Sequence, residues 1–216
     1  MRRIRIIGVC LVAVCALGAV TAISASATEK IVLKLSTAGK GLLGAGAELK
    51  GSSSNLIFET NAGTLECSSN VLVGTLANNS ATKDKGSFTS ESSTGGLSFE
   101  GKEHLCKTSG ILGAVEIEAK NFPWPVEFTT KGTGKLKGTK KVSFQSTFVE
   151  SGNIKCTFEA GKVAFTHATS GNLEIKTSNQ LFKINKKTSN AACPKEGHLS
   201  GTFALTSGGE TVKVEL

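Results

Sequence analysis

Four cysteines, three histidines, sixteen glutamates and one aspartate are the side chains through which residues 28–216 could do acid–base, nucleophilic or metal chemistry. The cysteines sit in matched settings. "AGTLECSS" at 62–69 is echoed by "SGNIKCTF" at 151–158, which sets Gly63 on Gly152, Leu65 on Ile154, Cys67 on Cys156 and Ser68 on Thr157. Downstream, "CKTSG" from Cys106 matches "CPKEG" from Cys193, with separations of 39 and 37 residues from the upstream cysteines. Four cysteines allow three connectivities, and the repeat favours Cys67–Cys106 with Cys156–Cys193.

The histidines are His104, His167 and His198. His104 stands near Cys106 and His198 follows Cys193, but the spacing fits no common zinc pattern, so we expect structural or exposed histidines and no metal. "GKGLLG" at 39–44 has the form of a dinucleotide-binding turn. The segment after it holds Gly44, Gly46, Gly51 and Ser52 to Ser54, poor material for the helix such a site requires, so we read a Gly-rich turn and expect no cofactor. No G-x-S-x-G elbow appears, and Asp84 lies in a polar segment, so no nucleophilic triad is expected. Glu116 and Glu118 share one strand face, which a glycan hydrolase could use as a carboxylate pair and which is equally an ordinary solvated face.

Two further stretches are candidate contact sites. "NFPWPVEF" at 121–128 places Trp124 between two prolines, either as an exposed platform for a sugar or peptide or as a core plug. "KGTGKLKGTKK" at 131–141 offers Lys135 and Lys137 to an anionic polymer, or is a solvated linker. Nucleic acid is not expected, because beyond residue 27 the chain has no arginine for bidentate contacts.

The elements that must position these residues are strands. After residue 27 no stretch keeps helical spacing, and short β-branched and aromatic runs alternate with Gly, Ser and Asn. Candidate strands lie at 30–36, 55–60, 70–76, 96–101, 115–120, 142–150, 162–167, 172–177, 181–185, 201–206 and 211–216. Val115, Ile117 and Ala119 would face inward while Glu116, Glu118 and Lys120 face water. Turn signals stand at 168–172 and 206–210, and 77–86 reads as a mobile polar loop.

Residues 1–27 read as a secretory signal peptide: Arg2, Arg3 and Arg5, an apolar run, then small residues up to Ala27. Removing it lowers the net charge from +8 to +5, because those three arginines leave with it. No integral membrane span is then expected, and the four remaining cysteines suit an oxidising compartment.

With the signal segment, "GTLEC", "PWPVEF", "CTFEAGKVAF", "GNLEI" and "GHLSGTFAL", the chain resembles a loose group of uncharacterised secreted β-rich proteins of high-GC Gram-positive bacteria. The resemblance implies compartment and β-rich fold, and it carries over no functional residue.

The sequence thus predicts an all-β protein: an antiparallel β-sandwich, or barrel-like form, with two disulfides. Residues 28–216 would form one domain of two related halves, about 28–130 and 141–216, joined by the linker 131–141. The expected function is a secreted, non-enzymatic binding or structural protein of the envelope or extracellular space, with an anionic polymer or glycan as partner. A secreted glycan hydrolase with a Glu pair and an enzyme inhibitor are the alternatives.

Overall fold

The structure, a computed structural model, describes residues 29–36, 41–80, 82–91, 105–109, 115–138 and 140–216. The signal segment 1–27, the expected strand 96–101 and His104 lie outside them, as does part of the GKGLLG turn.

Every described element is a strand. In chain order they are β1 (Val32–Leu35), β2 (Glu48–Ser53), β3 (Leu56–Thr60), β4 (Gly63–Cys67), β5 (Asn70–Asn78), β6 (Lys83–Glu91), β7 (Leu105–Ser109), β8 (Val115–Lys120) and β9 (Trp124–Thr129). The second half continues with β10 (Thr133–Leu136), β11 (Val142–Phe148), β12 (Ile154–Ala160), β13 (Val163–His167), β14 (Gly171–Asn172), β15 (Glu174–Ile184), β16 (Glu196–Ser207) and β17 (Glu210–Glu215). Among the described residues no helix is long and apolar enough to cross a membrane.

The pairings close on themselves twice. One ring runs β2–β5–β6–β9–β10–β13–β15–β16 and returns from β16 to β2. The other runs β3–β4–β7–β8–β11–β12–β15–β16 and returns to β3. All contacts are antiparallel. Both rings use β15 and β16, one at Glu174–Thr177 and Gly201–Thr206, the other at Gln180–Ile184 and Glu196–Ser200. The rings are therefore two tiers of one eight-stave, up-and-down barrel, the barrel-like form of the expected antiparallel architecture. The first six staves are each two strands in series, β2 with β3 being the first. The last two, β15 and β16, run through both tiers.

In the first, second, fourth and sixth staves the break changes which residues face inward. Along the second stave the buried apolar positions change from odd (Leu65, Cys67) to even (Leu72, Leu76), and along the sixth from even (Phe158, Ala160) to odd (Val163, Phe165). Unbroken β15 achieves the same change with a bulge between Thr177 and Gln180, so that Ile175 and Phe182 both point inward. Asn179 takes a positive φ of 51° there, and its N–H donates to Ser200 Oγ at 2.9 Å.

The lower tier is filled by four rings. Phe58 meets Phe144 and Phe158 edge-on, with centroids 4.9 and 4.8 Å apart, and Phe182 lies 5.2 Å from Phe144. The Phe58 ring occupies the space over Gly197, where an added Cβ would come within 2.3 Å of it. The upper end is capped by a ribbon of β1, β17 and β14 that buries Ile31, Leu33, Leu173, Val212 and Val214 completely. β17 leaves β16 through a two-residue hairpin whose Gly208 and Gly209 both have positive φ, as the paired glycines of 206–210 led us to expect.

Both disulfides have the expected partners, Cys67–Cys106 and Cys156–Cys193. Cys67 and Cys106 face each other across β4 and β7, with Cα atoms 4.5 Å apart, the spacing of a non-hydrogen-bonded antiparallel pair. Cys193 belongs to the β15–β16 connection, which borders β12: Asn190 Oδ1 accepts the Lys155 N–H, and Asn190 N–H donates to Lys155 O.

Two expectations are corrected. Segment 131–141 is no linker, because β10 runs through it with hydrogen-bonded neighbours on both sides. Glycine is what admits it: a Cβ at Gly134 would sit 2.2 Å from the Phe165 ring. Segment 77–86 is mostly strand, and Asn79 anchors the cap. Its Oδ1 accepts the Leu33 N–H at 2.7 Å, and its Nδ2 donates to the carbonyls of Leu33 (2.6 Å) and Leu43 (2.7 Å).

Asn79→Ala would leave the backbone of fully buried Leu33 without these partners, and a loss of about 2–3 kcal/mol is expected in denaturant unfolding. Gly197→Ala should cost about 1–3 kcal/mol by displacing the Phe58 ring. An unchanged midpoint in either variant would contradict the corresponding contact.

Candidate functional site

At the waist between the tiers the bore holds a cavity of about 100 Å³. Phe58, Phe144 and Phe182 line it from below, Phe88, Trp124 and Phe165 from above, and Phe203 from the last stave. Leucines, isoleucines and valines of the facing staves complete most of the wall. An eight-stave ring has a bore that side chains just fill or that holds one small ligand. Here the resets of register leave it incompletely filled.

Among the described residues the lining holds no acid, base or histidine. Asn70 and Thr177 are its polar members, both buried, and both donate to the protein: Asn70 Nδ2 to Cys67 O at 3.1 Å, Thr177 Oγ1 to Ala164 O at 3.1 Å. The cavity is thus suited to hold an apolar molecule. By the proportion measured for buried voids, about 24 cal/mol per Å³, leaving it empty costs the fold about 2 kcal/mol.

The residues singled out by sequence lie apart from one another. Trp124 is only 6% exposed, so its ring offers no surface platform. It stacks on Phe122 at 4.5 Å, donates its indole N–H to Lys120 O at 3.0 Å, and lines the cavity instead. Lys135 lies on the outer face of β10, paired with Glu127 at 2.9 Å, and Lys137 is exposed just beyond the strand. The four cysteines are consumed as disulfides, with Cys67 reaching the cavity wall. His167 is buried against Phe128 and Phe165, with Nδ1 2.7 Å from Ala168 O. Among the described residues no three His, Cys, Asp or Glu side chains converge as a metal-ligand group.

Glu116 and Glu118 are exposed on the outer face of β8, and Glu118 is ion-paired with Lys120. A different pair borders a polar concavity on the lower tier, where Glu59, Glu196, His198 and Lys195 meet Thr60 and Asn61. His198 is opposite Glu59 in the β16–β3 register. Neither the cavity nor this concavity was evident from the sequence, since each gathers residues from strands remote along the chain. The one usable signal was the count of eleven phenylalanines with no tyrosine, which supplies many rings and no phenol to hydrate them.

Two carboxylates outside the cavity hold their charge. The hydrogen bond from Lys135 keeps the Glu127 carboxyl below the usual range, against a smaller opposing effect of burial and with added attraction from Lys83 and Lys85. At Glu159 burial opposes ionisation, and the hydrogen bonds from Lys141 (2.8 Å) and Asn185 (2.7 Å) outweigh it, again lowering the pKa. Both groups therefore contribute stability above the ordinary carboxylate range, near pH 4.3, that is lost as pH falls through their lower folded-state values. Denaturation midpoints measured across the acid range should fall more gently for Glu159→Gln than for the wild type; identical acid limbs would contradict the assignment.

Compared with models of protein families, with curated proteins and with solved structures, the chain finds no match in any of the three.

Proposed function

We propose that the protein is an exported, non-enzymatic binding protein of the envelope or extracellular space, and that its site is the apolar interior of the barrel. The observation that carries this reading is the cavity of about 100 Å³ in the bore, whose described lining has seven aromatic rings and no ionisable group. Natural interiors are close-packed, and a void of this size with so uniform a lining is better suited to a guest than to catalysis. Two disulfides brace the lower tier beneath it, as suits a protein in an oxidising medium. The lysine-rich outer face at Lys135 and Lys137 supports a secondary attraction to anionic polymers, moderated by Glu127.

The reading also takes the two cysteine settings as a duplication. Cys67 lies on the second stave and is tied to β7 of the third, and Cys156 lies on the sixth and is tied to the connection that follows the seventh. A rival reading has one specific observation behind it: Glu59 and Glu196 border the same polar concavity, as a glycan hydrolase using a carboxylate pair would require.

Ligand-observed NMR with a fragment library on the disulfide-intact protein separates these readings. Fragments should bind the wild type and be lost from Ala119→Leu, which narrows the cavity, with the far-ultraviolet spectrum and disulfides retained as evidence of folding. Absence of binding, or binding indifferent to Ala119→Leu, would overturn the cavity reading. Glycan hydrolysis abolished by Glu59→Gln and by Glu196→Gln would establish the rival. For export, the intact mass of protein recovered from the medium of a secreting bacterial host should match a chain beginning at Thr28 with two disulfides; a chain retaining residues 1–27 would contradict cleavage.

A further inference from the structure

We infer that the interior site takes one small, uncharged apolar molecule of about the size of a single aromatic ring, and discriminates against fatty acids and charged analogues. This rests on the reading of the barrel as a binding protein and adds the chemical class of its ligand.

Size is the first constraint. The cavity measures about 100 Å³, and an engineered cavity of about 150 Å³ in another protein holds benzene or xenon, so a single ring lies near the upper limit here. A long acyl chain would have to displace the lower aromatic group, whose rings are held at 4.8 to 5.6 Å by contacts among themselves. Phe58 is the key member of that floor. It borders the cavity on one side and, on the other, a smaller hollow that also touches Phe148 and Pro194 near the lower end of the barrel.

Charge is the second constraint. A carboxylate or ammonium placed in the waist would meet no counter-ion among the described lining residues, and burying an unpaired charge is prohibitive. The polar donors that line the site do not relieve this, because the Asn70 amide and the Thr177 hydroxyl are directed at Cys67 O and Ala164 O. What the lining does offer is ring faces and edges from all sides, and aromatic groups favour edge-to-face or offset contact with a further ring. An aromatic guest therefore gains contacts that an aliphatic one of equal volume lacks.

Thermal unfolding and isothermal titration with benzene, toluene, indole, naphthalene, benzoate and dodecanoate test the inference on the full disulfide-bonded protein. Benzene or toluene should raise the melting temperature in a dose-dependent way, with benzoate and dodecanoate at least about tenfold weaker. Ala119→Leu should lose the single-ring ligands, and Phe144→Ala should gain naphthalene. Leu136→Ala, which enlarges the cavity from the upper wall, serves the same purpose if Phe144→Ala fails to fold. Tighter binding of dodecanoate or naphthalene to the wild type would overturn the ligand class and leave the binding-protein reading standing. Binding of none of the six probes, nor of any library fragment, would overturn both.

Discussion

The return of β16 onto the first stave is the contact on which the rest of the molecule depends. β16 pairs with β2 at Ala204–Thr206 and with β3 at Gly197–Ser200, joining strands from opposite ends of the ring that are far apart along the chain. Without that closure the outer strands would present unpaired backbone groups, the liability that closed barrels remove. With it, the number of staves is set at eight, and eight staves set the bore. The long β15–β16 hairpin is suited to this task because both its strands run through both tiers, so one element holds the two rings in register.

The cavity follows from the same geometry. The first six staves are each built of two strands, and in four of them the inward face is re-established from a new register at the waist. Side chains on either side of a break point into the bore without interdigitating fully, so the waist is where filling fails. Below it the Phe58, Phe144, Phe158 and Phe182 group makes an aromatic floor, and above it lie the upper-tier core and the fully buried residues of the β1–β17–β14 cap. Glycine enters where a ring must lie on the backbone, at Gly197 beneath Phe58 and at Gly134 beneath Phe165. Small residues on the wall and large rings in the bore are two halves of one packing solution.

How much of this was legible in the sequence depended on how local the determinant was. The pairing of Cys67 with Cys106 and of Cys156 with Cys193 was readable because the cysteines carry their own repeated context. The alternation of Val115, Ile117 and Ala119 announced its strand, and the paired glycines at 208–209 announced their hairpin. β2, β6 and β10 were not readable. Their segments, ELKGSS, KDKGSFTSE and TGKL, carry Gly, Ser and Lys where a strand is expected to carry β-branched residues, and neighbours across the ring supply what they lack. Trp124 could be read as platform or plug from its flanking prolines, and only the closed ring decides that its indole turns inward. Sandwich and barrel differ in whether the last stave meets the first, and no local pattern records that contact.

The central claim is that a closed barrel encloses a dry, apolar, accessible cavity at its waist. Diffraction from a crystal equilibrated under xenon tests it most directly, because xenon enters apolar voids and leaves polar ones to water. The account predicts a single strong xenon peak within contact of Phe58, Trp124, Phe144 and Phe203, in a ring whose β16 pairs with β2 and β3. Ordered water in that position, or a waist filled by side chains with no room for the atom, would contradict it.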